Sequence, residues 1–276
     1  MHSPLAVNRR HLIVRSPRLA TLLIAGVISL TATVASAAPI IGAFAAPRSG
    51  PENLLDSAPF IAAKSLFAPQ FPGITYQSTQ QLTPSFLSGI SVLILSTTGG
   101  DASIPTALSG SEQLALLNYV LAGGSALIMG EGGFDNDVVE QSFFAPFGMH
   151  DTGRIFGTVP VKAVTPNNNP ITNGPYGLYS TGNGLNVGWF DNLGAHAKPV
   201  VTLQNGLPVI AMIPRGALGP GSGAVVLTAD SQTLQISQPL IQNTAQFLVP
   251  EPTTGALAMF GLAVCVFGVW RRRVSS

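Results

Sequence analysis

Ser91-Val92-Leu93-Ile94-Leu95-Ser96 and Ser125-Ala126-Leu127-Ile128-Met129 are the two stretches that decide the fold. Each is a short, continuous apolar run, as expected of a strand buried on both faces of a sheet. Between them lie a glycine-containing loop over residues 97–101 and a helix that runs to Ala122, capped by Ser109 or Ser111. Ser109 and Glu112 have capping-box spacing, and Gly123-Gly124 stops the helix. Leu114, Leu117, Tyr119 and Leu121 are expected to line much of it. Strand, helix, glycine turn and strand in this order form a right-handed crossover between parallel strands. The expected fold class is α/β, three layers around a mainly parallel central sheet.

Outward from this unit, residues 39–44 and 74–78 read as further strands, residues 57–67 as a helix, and Pro84 as the start of a helical turn. From Phe143 to Leu207 the texture changes: Asn, Gly and Pro are dense and helical periodicity disappears. Residues 159–164, 199–203 and 208–213 are candidate strands there, and residues 182–188 read as an exposed Asn/Gly loop. Residues 223–228 return to the buried-strand pattern, and a last helix is expected over residues 239–248.

The two ends have different tasks. Arg9, Arg10, Arg15 and Arg18 precede an apolar run over residues 19–30, and Ala35-Ser36-Ala37 fits the small-x-small cleavage pattern. Residues 1–37 are therefore expected to be a signal peptide, cut after Ala37 by signal peptidase. At the other end Pro250-Glu251-Pro252 precedes an apolar run over residues 255–270 and then Arg271-Arg272-Arg273. The run is about long enough for one membrane-spanning helix, and the arginines resist translocation. Residues 38–248 form the domain between. Residues 38–252 keep six Lys and Arg against 12 Asp and Glu, a charge near −6, so the whole-chain value of +1 is misleading. An acidic exported segment argues against nucleic acid or anionic lipid as a partner. The one cysteine, Cys265, lies in the C-terminal apolar run, which rules out a disulfide, thiolate chemistry or cysteine-ligated zinc in the domain.

The C-terminal pattern resembles the PEP-CTERM sorting signal of bacterial export substrates. The resemblance implies an exosortase as processing partner, an inner-membrane-anchored intermediate, and a final place in the envelope surface or extracellular matrix, where exopolysaccharide is a candidate partner. The domain resembles the class I glutamine-amidotransferase-like superfamily, its ThuA-like members included. Val92-Leu-Ile-Leu-Ser96, Tyr119-Val-Leu-Ala-Gly-Gly124, Ser125-Ala-Leu-Ile-Met129, Asn169-Pro-Ile-Thr-Asn-Gly174 and Gly223-Ala-Val-Val-Leu-Thr-Ala-Asp230 carry that likeness. It implies a flavodoxin-like fold over residues 39–248. The superfamily's enzymes place a nucleophilic Cys after the second of these strands and a His-x-Glu pair later. Here the loop is Gly130-Glu131-Gly132-Gly133, and His196 is followed by Ala197-Lys198. Both parts of the glutaminase machinery are missing, so that mechanism does not carry over.

Other chemistry is open. Asp101, Glu131 and Asp230 each follow a buried strand, and the C-terminal ends of parallel strands line the usual binding crevice. A pair among them could act as acid and base in hydrolysis of a carbohydrate, or the acids could only cap loops. Asp135, Asp137 and Glu140 could offer hard oxygen ligands to Ca²⁺ as a cofactor, or could favour a helix start. His150 and His196 are well separated in sequence, and a shared metal site has no further support. Trp189, Phe190, Tyr176 and Tyr179 could stack on sugar rings or pack a loop onto the core. The expected function is a non-catalytic, binding or structural role in the envelope or matrix, with a hydrolase as the alternative.

Overall fold

A computed structural model describes residues 38–45, 48, 73–97, 106–131 and 137–249. The signal peptide, the helix expected over residues 57–67, Asp101, Asp135 and the sorting segment from Pro250 onward lie outside the described residues. Among the described residues no helix is long and apolar enough to cross a membrane.

The described elements are, in order, β1 (Ile40–Phe44), β2 (Thr75–Thr79), α1 (Pro84–Leu87), β3 (Val92–Ser96), α2 (Gly110–Leu121), β4 (Ser125–Met129), α3 (Asp137–Phe144) and a 3-10 turn (Ala145–Phe147). Then follow β5 (His150–Ala163), β6 (Asn173–Gly174), β7 (Gly177–Leu178), β8 (Thr181–Asn192), β9 (Lys198–Leu203), β10 (Pro208–Ile213), β11 (Val225–Thr228), α4 (Ser231–Gln235) and α5 (Gln238–Leu248). One sheet holds nine strands in the order β2-β1-β3-β4-β11-β10-β9-β5-β8. From β2 to β11 every pairing is parallel, and from β11 to β8 every pairing is antiparallel. The sheet is thus mixed, and the expected parallel character holds for its first five strands.

Period-two alternation sends neighbouring residues of β3 to opposite faces. Val92 and Ile94 join one core with Leu240, Ala245 and Leu248 of α5. Leu93 and Leu95 join the other with Leu116, Tyr119 and Val120 of α2 and Phe143 and Phe144 of α3. Helices therefore cover both faces of the parallel half, giving the three layers.

Ser109 caps α2 in a full capping box with Glu112. The face of α2 that goes inward is Glu112, Ala115, Leu116, Tyr119 and Val120. Leu114 and Leu121, expected to line the helix, are exposed instead. The inward stripe at i, i+3, i+4, i+7 and i+8 places a glutamate where an apolar residue would be looked for. Glu112 is tolerated there because its carboxylate receives the Leu82 N–H at 3.2 Å, the Ser109 N–H at 3.0 Å and Arg48 at 3.1 Å. Burial works against its ionisation, but these donors together bring its pKa below the ordinary value.

The largest departure from expectation is the pair β5 and β8. Residues 182–188 are the middle of β8, not a loop, and β5 begins at His150, well before Val159. The pairing is broken by register shifts between His150 and Asp151, Thr152 and Arg154, and Ile155 and Thr158. Those irregularities and the many glycines erase the alternation that would mark a strand in the sequence.

Candidate functional site

The site grows from the point where β4 and β11 leave the sheet side by side. Gly130 N–H donates to the Thr228 carbonyl at 2.8 Å, and Ser231 N–H donates to the Gly130 carbonyl at 2.8 Å. Glu131 and Asp230 face each other as a bridge pair between these two exits. A Cβ at Gly130 would overlap the Glu140 carboxylate and crowd Phe144, so only glycine lets α3 approach this closely.

Glu131 keeps a partly exposed carboxylate at the sheet edge. Arg154 of β5 approaches its Oε1 at 3.4 Å, and the Ser231 hydroxyl lies 3.4 Å from its Oε2. Arg154 is nearly buried and also donates from Nε to the Asn186 carbonyl of β8 at 3.0 Å. Asn186 has a left-handed backbone (φ 54°), and its side-chain oxygen accepts from Gly157 N–H at 2.8 Å. This local kink turns Phe156 outward, 73% exposed, with the Arg154 guanidinium 5.6 Å from its ring centre. Ile155 and Leu185 are exposed beside it along the same ribbon. An aromatic ring, a guanidinium and an oriented carboxylate therefore meet where the antiparallel ribbon passes the C-terminal ends of the parallel strands.

Beneath Glu131, Asp230 is completely buried. Its Oδ1 caps α4, accepting from Gln232 N–H at 2.7 Å and Thr233 N–H at 3.3 Å, while Oδ2 has no hydrogen-bond partner. Burial, reinforced by the charge of Glu131, pushes its pKa up to about 7 against the pull of those N–H groups and Arg154. A second buried acid pair lies on the α3 side. Glu140 receives the Thr97 hydroxyl at 3.1 Å and the Glu131 N–H. Burial and the neighbouring Glu140 push Asp151 up to about 8, while Gln141 donates to its Oδ1. Asp151 Oδ2 has no hydrogen-bond donor, and a proton on Asp151 would let it donate to the Glu140 side chain.

Of the acids singled out in the sequence, Glu131 and Asp230 are brought together, and Asp101 lies outside the described residues. Glu140 is turned inward; of the Asp135 and Asp137 side chains the structure says nothing. Among the described residues no group of three His, Cys, Asp or Glu side chains is placed to hold a metal. His150 pairs with Asp191 at 2.7 Å on the surface, and His196 is exposed in the turn before β9. Phe190 and Tyr179 are buried, Phe190 edge-to-face with Phe144 at 5.3 Å, while Trp189 and Tyr176 are half-buried. Arg154 and Phe156, which shape the site, were not among the sequence candidates. The available signal was Arg154 itself, one of six cations over residues 38–252.

No curated protein matches this sequence. Solved structures do share the fold. The mmIFT52 N-terminal domain superposes with a TM-score of 0.56 at 15% identity, over 77% of this chain and 98% of that one. The β-galactosidase from Rahnella sp. R3 gives 0.52 at 14% identity, over 85% of this chain and 35% of that much longer one. A ThuA-like protein from Bacteroides uniformis gives 0.48 at 11% identity, over 78% of this chain and 92% of that one. At such identities the first two speak for fold alone. Residues 248–273 match the model described as the PEP-CTERM protein-sorting motif, so the chain carries the signal of an exosortase-sorted export substrate.

Proposed function

We propose that this chain is an exported, exosortase-processed protein of the bacterial envelope surface or extracellular matrix, whose α/β domain binds exopolysaccharide without turning it over. The sorting motif at residues 248–273 is the observation that carries the reading. Two features of the domain support the non-catalytic part. The loop that would hold the nucleophile in amidotransferases presents Glu131, and Asp230, its bridge partner across the strand ends, is sealed from solvent and committed to capping α4. The binding surface is the Phe156, Arg154 and Glu131 edge. An exposed ring can stack on the apolar face of a pyranose, and an oriented carboxylate beside it can accept sugar hydroxyls.

The hydrolase reading has one observation in its favour, the adjacency of Glu131 and Asp230 with Asp230 held near neutrality. Co-sedimentation of the full chain with a neutral and an acidic bacterial exopolysaccharide, together with assays for released reducing ends, separates the readings. Binding without release, weakened by Phe156→Ala and by Glu131→Gln, is the expected result. Release of reducing ends that is abolished by Glu131→Gln would establish the hydrolase instead. The Ca²⁺ reading of Asp135, Asp137 and Glu140 is tested in the same assay by adding and chelating calcium, with no change expected.

A further inference from the structure

The sorting motif and the folded domain overlap. The matched motif begins at position 248, and Leu248 is the last residue of α5. Leu248 is fully buried, and the helical ladder runs one residue further, Val249 N–H donating to the Ala245 carbonyl at 3.1 Å. Pro250 comes next, so the sequence leaves no spacer between the helix and Pro250-Glu251-Pro252. The end of α5 is also held from outside. Its last turn has no basic residue, where a cation would complement the helix dipole. Arg215, from the connection between β10 and β11, supplies one. Its Nη2 donates to the Leu248 carbonyl at 3.4 Å and to Ser125 Oγ at 3.1 Å, and its Nη1 donates to the Gly123 carbonyl at 3.4 Å. Arg215 thereby ties the end of α5 to the start of β4, the opposite end of that strand from Glu131. Farther back, buried Asn243 accepts from Tyr176 N–H at 3.1 Å and donates to the Gly177 carbonyl at 2.9 Å, which confines fraying to the turn beyond it.

We propose that Arg215 is a positioning residue for processing: it holds the last turn of α5 closed, and the exosortase reaches its motif only when that turn opens. Proteases cut exposed, extended chain, and a segment that belongs to a fold is cut from its transiently opened state. The chain is helical through Leu248, so straightening it ahead of Pro250 draws Leu248 out of the core and breaks the bond of its carbonyl to Arg215. A terminal turn can open in this way while the sheet stays folded. The rate of processing therefore carries the cost of that opening, and the domain paces its own release. That an exosortase does the cutting rests on the function proposed above; the clamp itself does not.

The test follows conversion of the full chain to its mature form in the bacterium that makes it, by pulse labelling and intact mass. Arg215→Ala should be processed about two- to tenfold faster than the wild type, the range that one hydrogen bond is worth. A Gly-Ser-Gly-Ser spacer inserted between Val249 and Pro250 should also speed processing, and should make it indifferent to Arg215→Ala. Ser109→Ala weakens the domain at the end of α2 far from Gly123 and controls for general destabilisation; its rate should match the wild type. Equal rates in the wild type, Arg215→Ala and the spacer chain would overturn the inference. So would an acceleration by Ser109→Ala as large as that by Arg215→Ala. Should Arg215→Ala fold poorly, the spacer chain still decides, because it leaves the contacts of Arg215 in place. The two readings fail differently. A wild-type chain never cut near residues 250–252 would sink the proposed processing and the role of the clamp with it, whereas a chain cut there at one rate in every form would sink the clamp alone.

Discussion

The two halves of the sheet solve the same packing problem by different means. In the parallel half, β1, β3, β4 and β11 lie between helices and almost every side chain is buried, so stability comes from two apolar cores and from backbones in near contact. In the antiparallel half, β5 and β8 form a long ribbon at the sheet's edge, bent by register shifts and left-handed residues, with Ile155, Phe156 and Leu185 exposed. The first half gains rigidity and offers few accessible groups. The second gives up regularity and places Arg154 and Phe156 over the strand ends of the first. The candidate site lies where the two meet, which is why neither half contains it alone.

The contrast can be broken most violently at Gly223. A Cβ there would fall on the Gly124 carbonyl of the neighbouring backbone, so Gly223→Ala is expected to cost about 3 kcal/mol or more, or to prevent folding. Chemical denaturation measures it, and a near-neutral result would mean the parallel half is looser than described. Next is the core. Phe144→Ala, which also removes the edge-to-face contact with Phe190, should cost about 3–5 kcal/mol. Ile155→Ala on the ribbon should change stability by less than about 0.5 kcal/mol. Equal losses at the two positions would erase the comparison. Ser109→Ala should cost about 1 kcal/mol through the lost cap of α2.

The buried acids predict a pH dependence with a definite sign. Asp151 and Asp230 have folded pKa values raised to about 8 and about 7, so the folded state holds protons that the unfolded chain releases near pH 4. Their contribution is fully present below about pH 4 and is lost as pH rises through 7 and 8. Thermal unfolding midpoints should therefore fall from pH 6 to pH 9, and Asp151→Asn should flatten part of that slope. A midpoint that rises over this range would contradict the assignment of both protons.

What could be read from the sequence divides along the same line. Continuous apolar runs such as residues 91–96 and 125–129 announce parallel strands because both their faces need the same chemistry, and the Ser109–Glu112 spacing announced the start of α2. The inward stripe of α2 is hidden in the sequence because it contains Glu112, whose buried carboxylate is satisfied by the Arg48 guanidinium and the Leu82 N–H, partners distant in sequence. The ribbon was missed because Gly182, Gly184 and Gly188 look like loop residues. Gly184 is glycine because a Cβ would strike Val187, a packing reason that no local pattern states. Of the site, Glu131 and Asp230 followed from the rule that strand ends line a crevice. Arg154 and Phe156 did not, because a kink at Gly157 and Asn186 decides where they point.

The central claim, that this chain is an exported substrate of an exosortase, is tested most directly by intact mass and terminal sequencing of the protein recovered from the cell surface or medium. The account predicts an N-terminus at Ala38 and a chain that ends at or next to Pro250-Glu251-Pro252, without the apolar run or Arg271-Arg272-Arg273. Recovery of surface protein that retains residues 253–276 would contradict it.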